Sequence, residues 1–255
     1  ANDKLFLVCD GVGGNEKGEV ASRLTCDKIA EYFKQNPIEV SNETYIAKAL
    51  KYAEEAFDQY IAKNPESKGM GTTLTLLHLN SNGASIAHVG DSRVYQFRNG
   101  QIMFQTSDHS LVNDLLKAGV INEEQAKDHP RKNVISRAIQ GSTVKSTKAD
   151  VELITGIQPG DYFFLCTDGI LENITDFEIG QILAQSISNN DKMGEISKRC
   201  EEDPNDNFSA YLIQIEDIEG FVHQNNEDTI VEAVIAEPEA EIIAEAEIEE
   251  KKPII

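Results

Sequence analysis

Tryptophan is absent from this 255-residue chain, and cysteine and basic residues are scarce. The four cysteines show no Cys-x-x-Cys spacing, which excludes the common zinc motifs and a disulfide-rich fold and favours reduced thiols. No run of about 20 apolar residues occurs, so the sequence predicts no membrane-spanning helix. The first residues, Ala1 to Lys4, show no signal-peptide pattern and no initiator Met, so we expect a cytoplasmic protein whose given sequence starts inside a longer one.

Charge is strongly unbalanced, with 23 Lys and Arg against 44 Asp and Glu and a formal net charge of −21. Residues 216–252 contribute thirteen acidic residues and two Lys, a net −11, which is about half of the excess. Such a surface repels phosphate backbones and anionic lipids, so we expect neither nucleic acid nor a membrane as partner. A phosphorylated substrate stays compatible, because bound divalent cations invert the local field.

Helices and strands are predicted in blocks along residues 4–215. Apolar residues from Ile46 to Ile61 recur at three- and four-residue steps and predict a helix, whereas 72–105 reads as short strands with a hairpin turn at Asn99-Gly100. Thr175 and Glu178 form a capping-box pattern that starts a later helix. Blocks of this kind favour an α+β layered sandwich over a doubly wound sheet.

The periodic pattern fails beyond Glu216, where Ala, Glu, Ile and Pro dominate. Like charges and low complexity predict a disordered or weakly helical segment. We therefore divide the chain into a folded domain, residues 1–215, and an acidic tail, residues 216–255.

Three aspartates share one local pattern, because each lies at an end of an apolar strand beside glycine or another turn-forming residue. They are Asp10, Asp168 and Asp206. A carboxylate at a buried strand end is costly unless it is paired or metal-bound, and hard oxygen ligands suit Mg²⁺ or Mn²⁺. The alternative is that these side chains only shape turns by bonding nearby backbone.

Six short motifs occur in one order and together resemble the type 2C protein phosphatases, in particular the compact bacterial members. The motifs are Asp10-Gly-Val-Gly-Gly14, Gly71-Thr-Thr73, His88-Val-Gly-Asp-Ser-Arg93, Ser107-Asp-His-Ser110, Thr167-Asp-Gly-Ile170 and Asp206-Asn207. The resemblance covers about residues 4–215. It implies a four-layer α-β-β-α sandwich of two mainly antiparallel sheets flanked by helical pairs, with metal ions at one end of the sheets.

Carried over to this chain, the resemblance implies a set of metal ligands. Asp10 would bridge two ions with the Gly11 carbonyl as a further ligand, and Asp168 and Asp206 would hold the first ion. Asp108 matches the position where bacterial relatives bind a third ion, followed by a flap at about 110–140. Gly90-Asp91-Ser92-Arg93 is interpreted as scaffold.

The implied activity is metal-dependent hydrolysis of phosphoserine and phosphothreonine in proteins. Two Mn²⁺ or Mg²⁺ ions, with a possible third, would activate one water for in-line attack on phosphorus, with Asp10, Asp168 and Asp206 as the catalytic carboxylates. We expect phosphoprotein substrates, a cognate serine/threonine kinase and a monomer. The alternative is a catalytically impaired module that binds phosphoproteins or regulates a kinase pathway.

Two departures from the family pattern bear on this expectation. Val12 stands where some relatives carry a proton-donating histidine, so water would protonate the leaving group here. The chain also begins after the strand that in relatives carries a phosphate-binding Arg and an acidic pair. Residues 220–228 resemble that strand with His223 for Arg, which fits a permuted copy, a second incomplete domain or coincidence.

Overall fold

A computed structural model describes residues 4–12, 17–127, 129–141, 146–202, 206–218 and 239–243, with the backbone alone at 127 and 239–243. The strands are β1 Leu5–Val8, β2 Gly11–Val12, β3 Gly71–Thr72, β4 Leu74–Asn80, β5 Gly83–Val89, β6 Arg93–Arg98, β7 Gln101–Gln105, β8 Asp150–Ile154, β9 Tyr162–Cys166, β10 Ala210–Asp217 and β11 Glu239–Ile243. The helices are α1 Lys17–Gln35, α2 Glu43–Lys63, α3 Leu111–Lys117, α4 Glu123–Lys127, α5 Asp168–Leu171, α6 Asp176–Leu183 and α7 Asn189–Glu202.

Two antiparallel sheets form the centre of the fold, and a two-stranded ribbon joins β2 to β3. One sheet has the order β1-β4-β5-β8 and the other has the order β11-β10-β9-β6-β7. Each contains hairpins between sequence neighbours, β4 with β5 and β6 with β7, and Asn99-Gly100 forms the turn of the second with positive φ at both residues. The expected α+β class with antiparallel sheets is confirmed.

Three apolar cores separate the layers, because neighbouring side chains of each strand point to opposite faces. Leu74 and Leu76 of β4 face α1 and α2, whereas Leu77 and Leu79 face the second sheet. In the same way β9 directs Phe163 towards the first sheet and its neighbouring side chains towards α6 and α7. The order is therefore helices, sheet, sheet, helices.

Local signals explain the helix ends that frame these layers. Asn42 caps α2 by accepting from the backbone N–H of Tyr45, and Thr175 and Glu178 form the predicted capping box of α6. Within the described residues, no helix combines the length and apolarity needed to cross a membrane.

The acidic tail, residues 216–255, was predicted to be disordered or weakly helical, but parts of it form strands. Strand β10 continues to Asp217, and Glu239–Ile243 pairs with it as an antiparallel edge strand. An unpaired strand edge leaves a row of free N–H and C=O groups, and pairing with β11 satisfies that row on β10. The segment 220–228, which resembles the expected N-terminal strand, lies outside the described residues.

Candidate metal centre

Four aspartates lie at strand ends that the two sheets bring to the same end of the sandwich. Asp10 follows β1, Asp91 follows β5 and Asp168 follows β9, while Asp206 precedes β10. The register explains this, because in the first sheet the ends of β1 and β5 flank the start of β4. In the second sheet, the end of β9 lies between the starts of β6 and β10.

The backbone of Asp10 is fixed by the Gly71-Thr72-Thr73 segment. The Asp10 N–H donates to Thr73 Oγ1 at 2.9 Å, and the Thr73 N–H donates to the Asp10 carbonyl at 2.8 Å. The Thr72 hydroxyl donates to the same carbonyl at 2.7 Å. These three bonds fix the backbone of Asp10, and they give the threonine motif a positioning role that its sequence alone did not reveal.

Two glycines beside the aspartates permit close backbone contacts. A Cβ at Gly11 would lie 2.2 Å from the backbone carbon of Gly18, so α1 can pass over β2 only because this residue is glycine. A Cβ at Gly169 would lie 2.3 Å from the carbonyl oxygen of Asn207. The second contact brings the Asp168-Gly169 turn against the Asp206-Asn207 turn.

Asp10 and Asp168 form a half-buried carboxyl pair. The charge of Asp168 acts directly on Asp10, and Oδ1 of Asp168 is buried without a protein hydrogen-bond partner. Burial, followed by the adjacent Asp168 charge, raises the pKa of Asp10 to about 8. Two facing acceptors of this kind need a proton or a cation between them, so the orphaned oxygen and the donor set fit a hard divalent ion.

Asp91 also belongs to this acidic group, although the sequence suggested a scaffold role for its motif. Burial, followed by the charge of Asp168, raises the pKa of Asp91 to about 7. A sequence signal existed, because Gly90-Asp91 directly follows an apolar strand just as Asp10 and Asp168 do.

Asp206 lies at the outer side of the group. It is exposed, its Oδ1 accepts from the Asn207 N–H at 2.7 Å, and its charge contributes to the raised pKa of Asp10. Among the described residues, His88, His109 and Asp150 are the His/Cys/Asp/Glu group whose ligand atoms all lie within 4.8 Å of one another. Asp10, Asp91, Asp168 and Asp206 are therefore neighbours, but their carboxylate oxygens do not all lie within that distance of one another.

Asp108 is held by an arginine rather than directed at the other aspartates. Arg93 donates from Nε to Oδ1 at 2.7 Å and from Nη2 to Oδ2 at 2.8 Å. Both carboxylate oxygens are thus engaged in a two-bond fork, and Asp176 and the Tyr95 hydroxyl also contact the guanidinium. The expected role of Asp108 in binding a third ion stays a prediction.

The His88, His109 and Asp150 group is explained by protein contacts. The two rings stack at 4.4 Å with an interplanar angle of 13°, so their in-plane nitrogen lone pairs run parallel and do not converge on one ion. His109 Nδ1 accepts from the Gly90 N–H at 3.1 Å, and its Nε2 lies 3.1 Å from Asp150 Oδ2. Asp150 is also bound by Arg137 at 2.6 Å. These contacts fasten the Asp108-His109 segment to the strand end before Asp91.

Comparison with known proteins agrees with this arrangement. The family model described as Protein phosphatase 2C matches residues 1–203. Protein phosphatase PhpP of Streptococcus pneumoniae is 34% identical over 195 residues, covering 75% of this chain and 77% of the relative.

Two solved structures show the same fold. Serine/threonine phosphatase Stp1 from Staphylococcus aureus superposes with a TM-score of 0.74 at 30% identity, covering 84% of each chain. The catalytic domain of PstP in complex with two manganese ions has a TM-score of 0.71 at 26% identity, covering 84% of this chain and 88% of that one. From its strand-end carboxylates, its layered sheets and these matches, the chain belongs to the protein phosphatase 2C family.

Proposed function

We propose that this chain is a metal-dependent protein phosphatase that hydrolyses phosphoserine and phosphothreonine in proteins. The observation that carries the proposal is the Asp10–Asp168 pair, two neighbouring half-buried carboxyls that include a buried oxygen without a donor. Neighbouring acids without a cationic partner are costly to the fold, so their presence at the meeting point of two sheets favours a functional role. The serine/threonine phosphatases among the relatives support the same activity.

Asp10, the Gly11 carbonyl, Asp168 and Asp206 are the groups that would hold the ions, and the relative solved with two manganese ions supports Mn²⁺ as the metal. When bound, two such ions lower the pKa of a shared water and neutralise charge on the phosphoryl oxygens. Asp108 is a candidate ligand for a third ion, with its carboxylate oriented by the Arg93 fork.

The protein's part in the reaction is positioning. Thr72 and Thr73 hold the Asp10 backbone, so its carboxyl stays directed at Asp168 without a reorganisation cost during the reaction. His88 and His109 are buried and bonded elsewhere, which leaves water as the proton source for the departing serine or threonine oxygen.

The flap proposed at about 110–140 is anchored beside this centre. Ile139 pairs with Thr72 through two backbone hydrogen bonds of 2.8 and 3.0 Å, and Ser110 caps α3 at the other end. Because Thr72 also bonds Asp10, the flap base and the metal centre share one backbone segment. This arrangement supports a role of the flap in substrate access.

The remaining parts of the proposal concern domain organisation, cellular location, oligomeric state and partners. Residues 1–215 would form the catalytic domain and 216–255 an acidic tail of which Glu239–Ile243 adds an edge strand. We place the enzyme in the cytoplasm as a monomer that opposes a serine/threonine kinase. The net charge of −21 supports protein substrates over nucleic acid or membrane partners.

Phosphate release from a phosphothreonine peptide tests the function. The chain should release phosphate with millimolar Mn²⁺, and excess EDTA should abolish release. Circular dichroism run in parallel verifies that the sample is folded. If a folded sample releases no phosphate but still binds the peptide in Mn²⁺, the impaired binding module replaces the phosphatase.

A further inference from the structure

Three side chains from separate parts of the chain meet at the base of the proposed flap. His109 directly precedes the flap, Arg137 lies near its end, and Asp150 is the first residue of β8. Arg137 donates from Nη1 to Asp150 Oδ1 at 2.6 Å, and Asp150 Oδ2 lies 3.1 Å from His109 Nε2. We call these three residues the flap-base network. The proposed reaction uses none of them as a ligand or a proton donor.

The register of the first sheet explains the position of Asp150. Asp150 lies opposite His88 in the pairing of β5 with β8, and the His109 ring stacks on His88 at 4.4 Å. His88 also donates from Nε2 to the Ser107 carbonyl at 3.0 Å. The sheet edge and the two stacked rings therefore place the Asp150 carboxylate where the flap begins.

The two ends of the flap are also joined through their backbones. The Ser136 N–H donates to the His109 carbonyl, and the Leu111 N–H donates to the Val134 carbonyl, each at 2.8 Å. Backbone hydrogen bonds near the surface open readily when few other contacts support them. The side chains that join the two ends therefore determine how often the flap base opens.

The flap-base network differs from an isolated surface ion pair, which would contribute little. Arg137 and Asp150 are 36% and 46% exposed, and such a pair alone is weak. However, Arg137 Nη1 also donates to the Lys148 carbonyl at 3.0 Å, and both Asp150 oxygens have a neighbour. His109 is buried, and Gly90 holds it through two hydrogen bonds. Because one member is fixed, the charged pair has a defined geometry and supports the flap base.

The metal centre has supports of its own. Three hydrogen bonds from the Gly71-Thr72-Thr73 segment hold the Asp10 backbone, and none of them includes Arg137 or Asp150. Loss of the charged pair should therefore loosen the flap base while the carboxylates of the metal centre keep their positions.

We propose that Arg137 and Asp150 are positioning residues that hold the flap base closed and so determine the affinity for a phosphoprotein substrate. Their contacts are with the flap base and with the start of β8, so they act through His109 and Ser136. This role rests on the proposed function. A peptide on both sides of a phosphothreonine contacts more of the protein than p-nitrophenyl phosphate does, so loosening the flap should weaken the binding of the peptide alone.

Steady-state kinetics in millimolar Mn²⁺ test the proposal with both substrates. Arg137→Ala should raise KM for a phosphothreonine peptide by at least about fivefold, whereas kcat and the KM for p-nitrophenyl phosphate should stay within about twofold. Arg23→Ala is the control, because it removes the same charge from an 86% exposed side chain whose ion pair is 3.9 Å long. An unchanged KM for the peptide, or equal losses with both substrates, would overturn the proposal.

A double-variant cycle tests whether the two residues act as one unit. If they do, Arg137→Ala combined with Asp150→Ala should raise KM for the peptide no more than the stronger single variant does. A double variant whose effect equals the product of the two single effects would overturn the paired role.

Hydrogen–deuterium exchange tests the flap base without relying on activity. In the metal-free, full-length chain, Arg137→Ala should speed exchange of the Ser136 and Leu111 amides by at least about tenfold, whereas α2 should exchange as before. If Arg137→Ala does not fold, Asp150→Asn, which keeps the side-chain shape, takes its place. Unchanged exchange at the flap base would overturn the proposal. An unsubstituted chain that releases no phosphate would contradict the proposed function alone, because exchange still tests the flap base.

Discussion

Arg93 binds Asp108 through two parallel hydrogen bonds, Nε to Oδ1 at 2.7 Å and Nη2 to Oδ2 at 2.8 Å. Both side chains are largely buried, with 23% and 16% exposure, so this fork is stronger than a surface ion pair. Each oxygen keeps a lone pair outside the fork, so Asp108 could bind a third ion while Arg93 fixes its orientation. The Ser-Asp-His-Ser and Gly-Asp-Ser-Arg motifs thus meet in one contact.

Asp108→Asn should weaken this contact while keeping the side-chain shape. We expect a loss of about 2 kcal/mol in the free energy of unfolding, since a charged hydrogen-bond partner is removed from a largely buried guanidinium. If Asp108 also holds a third ion, turnover or its Mn²⁺ dependence changes as well. Urea unfolding and Mn²⁺ titrations of activity measure the two effects, with the exposed Asp114→Asn as control. Unchanged kinetics would remove the third-ion role.

Asp168→Asn should abolish Mn²⁺-dependent hydrolysis without unfolding the protein. The substitution removes one member of the half-buried carboxyl pair, so an ion loses a charged ligand while the repulsion on Asp10 also falls. We expect a drop in kcat/KM of more than about 100-fold, equal to about 2.7 kcal/mol of transition-state stabilisation. Steady-state assays on a phosphopeptide measure it. A variant with near wild-type activity would show that Asp168 is no ligand.

Metal binding should release protons below about pH 8. Burial and Asp168 raise the pKa of Asp10 from 3.8 to about 8, so the folded, metal-free protein retains a proton that the unfolded chain loses between those values. The stabilisation from that proton is complete below pH 3.8 and disappears as pH rises to 8. Because a cation displaces the proton, its affinity should rise up to about tenfold per pH unit in this window.

Calorimetric Mn²⁺ titrations at about pH 6 and pH 8, in buffers of different ionisation enthalpy, measure both affinity and proton release. Asp10→Asn, which removes the titrating carboxyl at position 10, is the matched control and should bind weakly at both values. Equal affinity at the two pH values in the unsubstituted chain would contradict the coupling.

Glu54 anchors the segment that follows the flap. It is fully buried in α2 and accepts from the Thr147 N–H at 2.6 Å and from the Ser146 hydroxyl at 3.0 Å. Glu54→Gln keeps an acceptor for the Thr147 N–H but replaces a charged acceptor by a neutral amide whose NH2 must donate to the Ser146 hydroxyl, and we expect a cost of about 1 kcal/mol. The exposed neighbour, Glu55→Gln, should change stability by less than about 0.5 kcal/mol. Equal effects in urea unfolding would argue against the anchor.

Local patterns explain most of what the sequence predicted. The spacing of apolar residues located α2, the Thr175–Glu178 pair located the start of α6, and Asn99-Gly100 located a hairpin turn, because each depends on residues a few positions apart. The repeated strand-then-aspartate pattern also picked out Asp10 and Asp168, whose charges the structure brings close together, while their role as metal ligands stays a prediction.

Contacts between distant residues were not predictable in this way. Nothing near Asp91 in the chain shows that it faces Asp168, which lies 77 positions away, and nothing near Asp108 shows that Arg93 occupies both of its oxygens. These relationships follow from the register of the two sheets, which is fixed by packing over the whole domain. The edge strand Glu239–Ile243 was not predicted, because it is ordered by pairing with β10 and not by a pattern in its own composition.

Anomalous X-ray scattering from crystals grown with Mn²⁺ locates the ions directly. Two strong peaks should lie beside the Asp10 carboxyl, the first within reach of Asp168 and Asp206 and the second within reach of the Gly11 carbonyl. Peaks found only at other positions, or no peak beside Asp10 and Asp168, would contradict a metal centre built on these aspartates.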